Sequence, residues 1–208
     1  TFANLLIPRG SKIMAMGTAD APIVFSSDDA GYDGSGEWGG LIIHGYAPHN
    51  ECAVGGSYCD IDSEGESGFA GGYDEDDSSG VLRYVVVAEG GYEFSTGNEI
   101  NGISLISVGS GTEMDFIQVH GNSDDGIEFF GGTVNLKHGV FTRNNDDSVD
   151  WDEGYQGNLQ YIIVKQGASQ GEAFEMDTEG SSQGFLSKPT LANVTIINDK
   201  VADRAAYS

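Results

Sequence analysis

Apolar and polar residues alternate along most of the chain in short runs, and the runs return at intervals. "LRYVVVAEG" (82–90), "MDFIQVHGN" (114–122), "LKHGVFTRN" (136–144), "LQYIIVKQG" (159–167) and "LANVTIIND" (191–199) fall into one register, their starts 32, 22, 23 and 32 residues apart. Alternation with period two in segments this short is a strand signal. The smallest interval, 22 residues, is about one turn of a stacked β-solenoid, and the wider ones leave room for inserted loops. One parity of these strands carries Val85 and Val87, Ile117 and Val119, Gly139 and Phe141, Ile162 and Val164, and Val194 and Ile196. That column is the predicted interior. Helical periodicity of any length is absent.

The first four segments are each followed by a second short run: "GYEFSTG", "GIEFFGG", "SVDWDEG" and "EAFEMDTEG". Stacked strands lie about 4.8 Å apart, so equivalent residues on successive turns form ladders. The expected inward columns are Tyr92, Ile127, Val149 and Phe174, and Phe94, Phe129, Trp151 and Met176. Between them Glu93, Glu128, Asp150 and Glu175 are expected to face outward as an acid ladder. A further set of apolar runs, "APIVFSS", "GGLIIHG" and "NGISLISVG", is expected on other sides of the turns. The architecture predicted is all-β: a right-handed parallel β-helix with long acidic, glycine-rich loop insertions. One domain spans 1–208, with an insertion at about 45–80 containing Cys52 and Cys59.

Composition agrees, with 32 glycines against 4 prolines, and the charge narrows the partners. There are 33 Asp and Glu against 9 Lys and Arg, a net charge of −24. Such a surface repels phosphate backbones and anionic lipid, which argues against nucleic-acid and membrane-surface binding and makes divalent cations the natural partners. No apolar run approaches the roughly eighteen residues of a membrane span, and the first residues show no signal-peptide pattern. Because they already read as strand, a mature or trimmed form is expected. Cys52 and Cys59, close together in "CAVGGSYC", are expected to form a disulfide, which places the chain in an extracellular or cell-surface setting. A zinc site would need more Cys or His than His44 and His49 nearby.

With "GTADAPIVFSS", "GEWGGLIIHG", "NEINGISLISVGSGT" and "DDSVDWDEGYQGNLQY", the chain resembles right-handed parallel β-helices of the pectin-lyase-like type. More narrowly, it is similar to large secreted or surface proteins of aquatic bacteria. The resemblance implies the fold over nearly the whole chain and carries no activity that transfers residue by residue.

Like charges opposite one another on neighbouring strands destabilise a sheet, so the acid ladder requires an offset. Hydration and salt screening on an exposed face is one reading. A bound divalent cation, Ca²⁺ above all, is the other, since it accepts six to eight oxygen ligands in flexible geometry. The turns "NSDD" and "NNDD" align Asn122 with Asn144, Asp124 with Asp146 and Asp125 with Asp147. Candidate ligands are therefore Asp124, Asp125, Glu128, Asp146, Asp147, Asp150, Asp152 and Glu175. Asn and Asp are also ordinary turn residues, and stacked Asn side chains hydrogen-bond to one another. A second candidate is "DIDSEGE", where Asp60, Asp62 and Glu64 with Gly65 reproduce the first half of an EF-hand loop. Gly71 at the twelfth position excludes a true EF-hand.

An enzyme is the alternative: a polysaccharide lyase or glycoside hydrolase acting on an acidic polysaccharide through Asp125, Asp147 and Asp150 with Arg143 nearby. The Gly-His-Gly and Arg-x-Lys elements of polygalacturonases are missing, and Lys137, Arg143 and Lys165 read as surface charges. Alternation also stacks Tyr84, Phe116, His138 and Tyr161 in a column facing away from the interior. It is either a platform for sugar rings or another chain, or, if parity slips at a corner, a buried or loop-covered column, which is the expectation. His44 and His120 read as structural. The function expected is a Ca²⁺-binding structural or binding protein serving in adhesion, matrix or surface assembly, or polymer binding. Open strand edges allow copies to join as an oligomer or filament.

Overall fold

The structure, a computed structural model, describes residues 3–29, 31–63, 65, 67–95, 98–167, 170–179 and 184–198. In chain order the strands begin with β1 (Asn4–Ile7), β2 (Ile13–Met16), β3 (Ile23–Phe25), β4 (Gly40–His44), β5 (Ile61–Asp62), β6 (Phe69–Ala70), β7 (Gly80–Ala88), β8 (Glu93–Ser95) and β9 (Asn98–Glu99). They continue with β10 (Ile103–Ile106), β11 (Glu113–His120), β12 (Ile127–Phe130), β13 (Asn135–Thr142), β14 (Val149–Asp152), β15 (Asn158–Gln166), β16 (Phe174–Met176) and β17 (Thr190–Asn198). The chain passes back and forth between two parallel sheets. One is six-stranded in the order β1-β4-β10-β12-β14-β16, and the other runs β17-β15-β13-β11-β7-β2 with β3 on the second half of β7. This is a parallel β-helix, and it contains no helix long and apolar enough to cross a membrane among the described residues.

The long strands are bent at one residue per turn. Pairing runs from Asp115↔Lys137 to Ile117↔Gly139, omitting Phe116 and His138. The omitted column, Tyr84, Phe116, His138, Tyr161 and Asn193, has φ of 50°, 56°, 52°, 62° and 58°. Left-handed backbone costs a non-glycine residue about 1–2 kcal/mol. The rings offset part of this by stacking on one another at 4.4, 4.3 and 5.0 Å, with planes within 9° of parallel, each pair contributing about 0.5–1.5 kcal/mol. Parity does slip here, because Leu82 and Val85 are both buried. The slip does not bury the ring column, however: it faces outward as alternation alone has it, with Phe116 38% and Tyr161 45% exposed, so the expected burial is corrected.

The predicted interior is the observed one for Val85, Val87, Ile117, Val119, Phe141, Ile162 and Val164, which pack in a single core with Ile103, Ile127, Val149, Leu105, Phe129 and Trp151 of the facing sheet. Burying each large apolar side chain contributes about 1.5–3 kcal/mol. Gly139 belongs to this column for a packing reason: a Cβ there would lie 2.8 Å from Cε2 of Phe141, whose ring occupies the space.

The sequence reading misplaces one rung. "GYEFSTG" is not in the ladder; its β8 pairs antiparallel with β9 as a hairpin inserted within the 32-residue interval. The rung is β10 instead, and β4 and β10 lie in the same sheet as the acidic strands. Both faces of β10 are covered. Ile106 and Ile42 pack with Ala70 and Ile100 on the outside, so apolar residues stand on both faces of these strands and Ser104 is the one polar residue of β10. The outward column is therefore Ser104, Glu128, Asp150 and Glu175, with Ser104 where Glu93 was expected.

Between β4 and β7 lies the cysteine-containing insertion, closed by the Cys52–Cys59 disulfide. Its hairpin β5-β6 is held to the first turn by Arg9, whose Nη1 donates to the carbonyls of Cys59 at 2.7 Å and Gly71 at 2.8 Å. The Arg9 guanidinium also lies over the Tyr46 ring.

Candidate metal centre

The turns leading into β12 and β14 are superimposable rungs built on buried side chains. Asn122 and Asn144 are fully buried, and Asn144 Oδ1 accepts the Asn122 N–H at 3.2 Å. Asn122 Nδ2 donates to the carbonyls of Ile100 and Asp125. The second acid of each pair points along the solenoid axis: Asp125 Oδ1 accepts the N–H of Asp147 at 2.9 Å, and Asp147 Oδ1 accepts the N–H of Glu172. Gly126 lets the rungs approach, since a Cβ there would stand 2.3 Å from Asn144 Nδ2 and 2.5 Å from the Ser148 carbonyl. The first acids, Asp124 and Asp146, face outward, half-buried and exposed.

These turns bring two carboxylate groups together. Asp125, Glu128 and Asp150 each place an oxygen within 4.8 Å of the others, and so do Asp124, Asp125 and Asp146, with Asp125 common to both. Oxygens on opposite sides of a Ca²⁺ ion at about 2.4 Å are about 4.8 Å apart, so three oxygens within that limit can all reach one such ion. Asp150 is only 8% exposed, and its Oδ1 is buried without a hydrogen-bond partner. Glu128 accepts from Asn101 Nδ2. An all-oxygen donor set suits hard cations.

Electrostatics point the same way. Burial, reinforced by Asp150 and Asp124, holds Asp125 well above the usual carboxylate range. Burial pushes Asp150 up to about 7, with Glu175 and Asp177 adding to the rise while a hydrogen bond with Glu128 opposes it. Burial and the hydrogen bond with Glu175 push Asp147 up to about 8. Asp152 is pushed up to about 9 by burial and by Glu153. No lysine or arginine among the described residues forms an ion pair with Asp125, Asp147 or Asp150. Among the described residues no cationic side chain offsets these groups, and protons or a metal ion would do so.

The remaining predicted ligands lie elsewhere. Asp147 adjoins the cluster but spends Oδ1 on the Glu172 amide. Asp152 follows on β14, half-buried, with Oδ1 unpartnered, beside Glu153, which binds His49 Nε2 at 2.6 Å. Glu175 is exposed at the end of the ladder. Asp60 is ion-paired with Arg9 and accepts from the Tyr58 hydroxyl. Asp62 is exposed on β5, and Glu64 lies outside the described residues. Arg143 is exposed and makes no ion pair with the three aspartates. Asn101, Ser104 and the His49–Glu153 pair are not among the expected site residues. Asn101 and Ser104 become legible only once β10 is placed in the rung, and the pair joins residues 104 positions apart.

No curated protein and no solved structure matches the chain. A family model described as a pectate-lyase-like beta helix domain matches residues 1–207, in agreement with the parallel sheets, and the chain belongs to that family.

Proposed function

We propose that the protein is an extracellular or cell-surface Ca²⁺-binding β-helix with a structural or binding role in adhesion, in matrix or surface assembly, or in holding a polymer. The observation that carries this reading is the Asp125, Glu128 and Asp150 cluster, drawn from two adjacent turns, in which Asp150 also has a buried, unpartnered Oδ1. A Ca²⁺ ion there would neutralise charge that burial otherwise penalises and would tie two turns together, so its effect is on stability and assembly. The Cys52–Cys59 disulfide supports an oxidising setting. Cleavage of an acidic polysaccharide gains no support from Arg143, which is exposed and makes no ion pair with the three aspartates.

Calorimetric titration of EDTA-treated protein with Ca²⁺, at constant ionic strength, tests the reading. Saturable binding that Mg²⁺ competes for only weakly is expected, and it should disappear in Asp150→Asn. Absence of saturable heat together with a melting temperature indifferent to Ca²⁺ would overturn the reading and leave the buried carboxyls offset by protons.

A further inference from the structure

The outer face of the seven-stranded sheet is where the chain's charge runs out. Across β7, β11, β13, β15 and β17 the Asp, Glu, Lys and Arg residues are Arg83, Glu113, Asp115, Lys137 and Lys165, in a chain of net charge −24. Arg83 is paired with Glu113, and Asp115 with His138 at 2.7 Å. Two copies meeting through the acidic surfaces repel one another; meeting through this face, they do not.

Shape selects the occupant further. The rings of Tyr84, Phe116, His138 and Tyr161 lie face against face, so their faces are consumed by the stack and their edges point outward. Only the outer faces of the end rings, Tyr84 and Tyr161, lie outside these three contacts, so no run of open ring faces is left along the stack for a sugar polymer to lie on. Beside this ridge the outward side chains of Val140, Ile163 and Thr195 line a groove of about 550 Å³. It continues toward Pro22 past Val86 and Gln118. Ridge and groove both repeat at the strand spacing of about 4.8 Å, and only a partner with the same rung spacing matches them along their length.

A ridge flanked by a groove is self-complementary under a twofold axis. We infer that this face is the contact between two copies of the chain, packed side by side with antiparallel solenoid axes, each aromatic ridge seated in the other's groove. Five strands of about nine residues cover at most roughly 24 by 30 Å, about 700 Å² per copy. That is slightly below the roughly 800 Å² per partner of a standard interface, so the dimer is weak and reversible.

Sedimentation of the intact chain over a concentration series tests this. A monomer–dimer equilibrium is expected, with dissociation raised about tenfold or more in Ile163→Lys and in Tyr161→Lys, both at exposed sites. Unchanged melting temperatures would confirm that the variants are folded. There is no free cysteine among the described residues, so Val140→Cys should form disulfide-linked dimers on oxidation, while Glu175→Cys on the other sheet should not. A wild-type chain that stays monomeric at every concentration, or a dimer indifferent to both lysine substitutions, overturns the inference.

Discussion

The Asp125 carboxylate accepts the backbone N–H of Asp147, at 2.9 Å, from the next turn of the solenoid. The same side chain is shared by both carboxylate clusters. One residue thus caps a neighbouring turn and contributes to the candidate cation site, and the two roles separate by substitution. Asp125→Asn keeps an acceptor for the amide and should lose the Ca²⁺ response with little loss of stability. Asp125→Ala strands a buried N–H and should cost a further 1–3 kcal/mol or so. Chemical denaturation of the two variants, with and without Ca²⁺, checks this.

Asp150→Asn should raise the melting temperature of the cation-free protein, because it removes a buried charge with an unpartnered oxygen. It should also remove the stabilisation by Ca²⁺, which for an intact site at a hundred times the dissociation constant is about 2.7 kcal/mol. Differential scanning calorimetry distinguishes this from a screening effect, which Na⁺ at equal ionic strength would reproduce.

Asp150 and Asp147 titrate near 7 and 8 in the fold, against an ordinary 3.8, chiefly through burial. Between these limits the folded chain holds protons that the unfolded chain has released. Their stabilising contribution is complete below the ordinary value and is lost as pH rises through 7 and then 8. The cation-free protein should therefore melt lower at about pH 8.5 than at about pH 5. Saturating Ca²⁺ should flatten that slope, and binding near neutrality should release protons, seen as a buffer-dependent enthalpy.

Gly139→Ala should destabilise the fold by about 1–3 kcal/mol through overpacking, since the new methyl meets the Phe141 ring at 2.8 Å and Ile162 Cδ1 at 3.0 Å. Adding Phe141→Leu should recover part of the loss, which equilibrium unfolding of the double variant measures.

Reduction of Cys52–Cys59 opens a loop with a sequence separation of only 7. The chain-entropy relation for so short a loop gives about 2.5 kcal/mol at most. Hydrogen exchange should report local opening around Ile61, Ala70 and His49, with β11, β13 and β15 still protected. A global loss of protection would show that the insertion is part of the main cooperative unit.

The fold was legible because each turn repeats the same alternation in "IQVHG", "GVFTRN" and "IIVKQG", and because burial on one face demands it. The rung at β10 was not, because "NGISLISVG" is covered on both sides and carries Ser104 where the other rungs carry an acid, while "GYEFSTG" has the acid and alternates inside a hairpin. The aspartates of the candidate cation site were visible, Asp124, Asp125 and Asp146 in an aligned pair of turns and Asp150 in the acid ladder. Asn101 was hidden for the same reason as β10. Alternation alone turned the ring column outward; the bend at these residues, a positive φ at non-glycine positions, is what composition does not announce.

That single bent residue per turn has an evolutionary consequence. Each rung closes its own corner, so a turn can be duplicated or deleted, or its loop exchanged for another, without disturbing the geometry of the rungs on either side. Inheritance can lengthen such a protein like a column of identical bricks, and the acid pairs, carried two rungs at a time, would multiply with it.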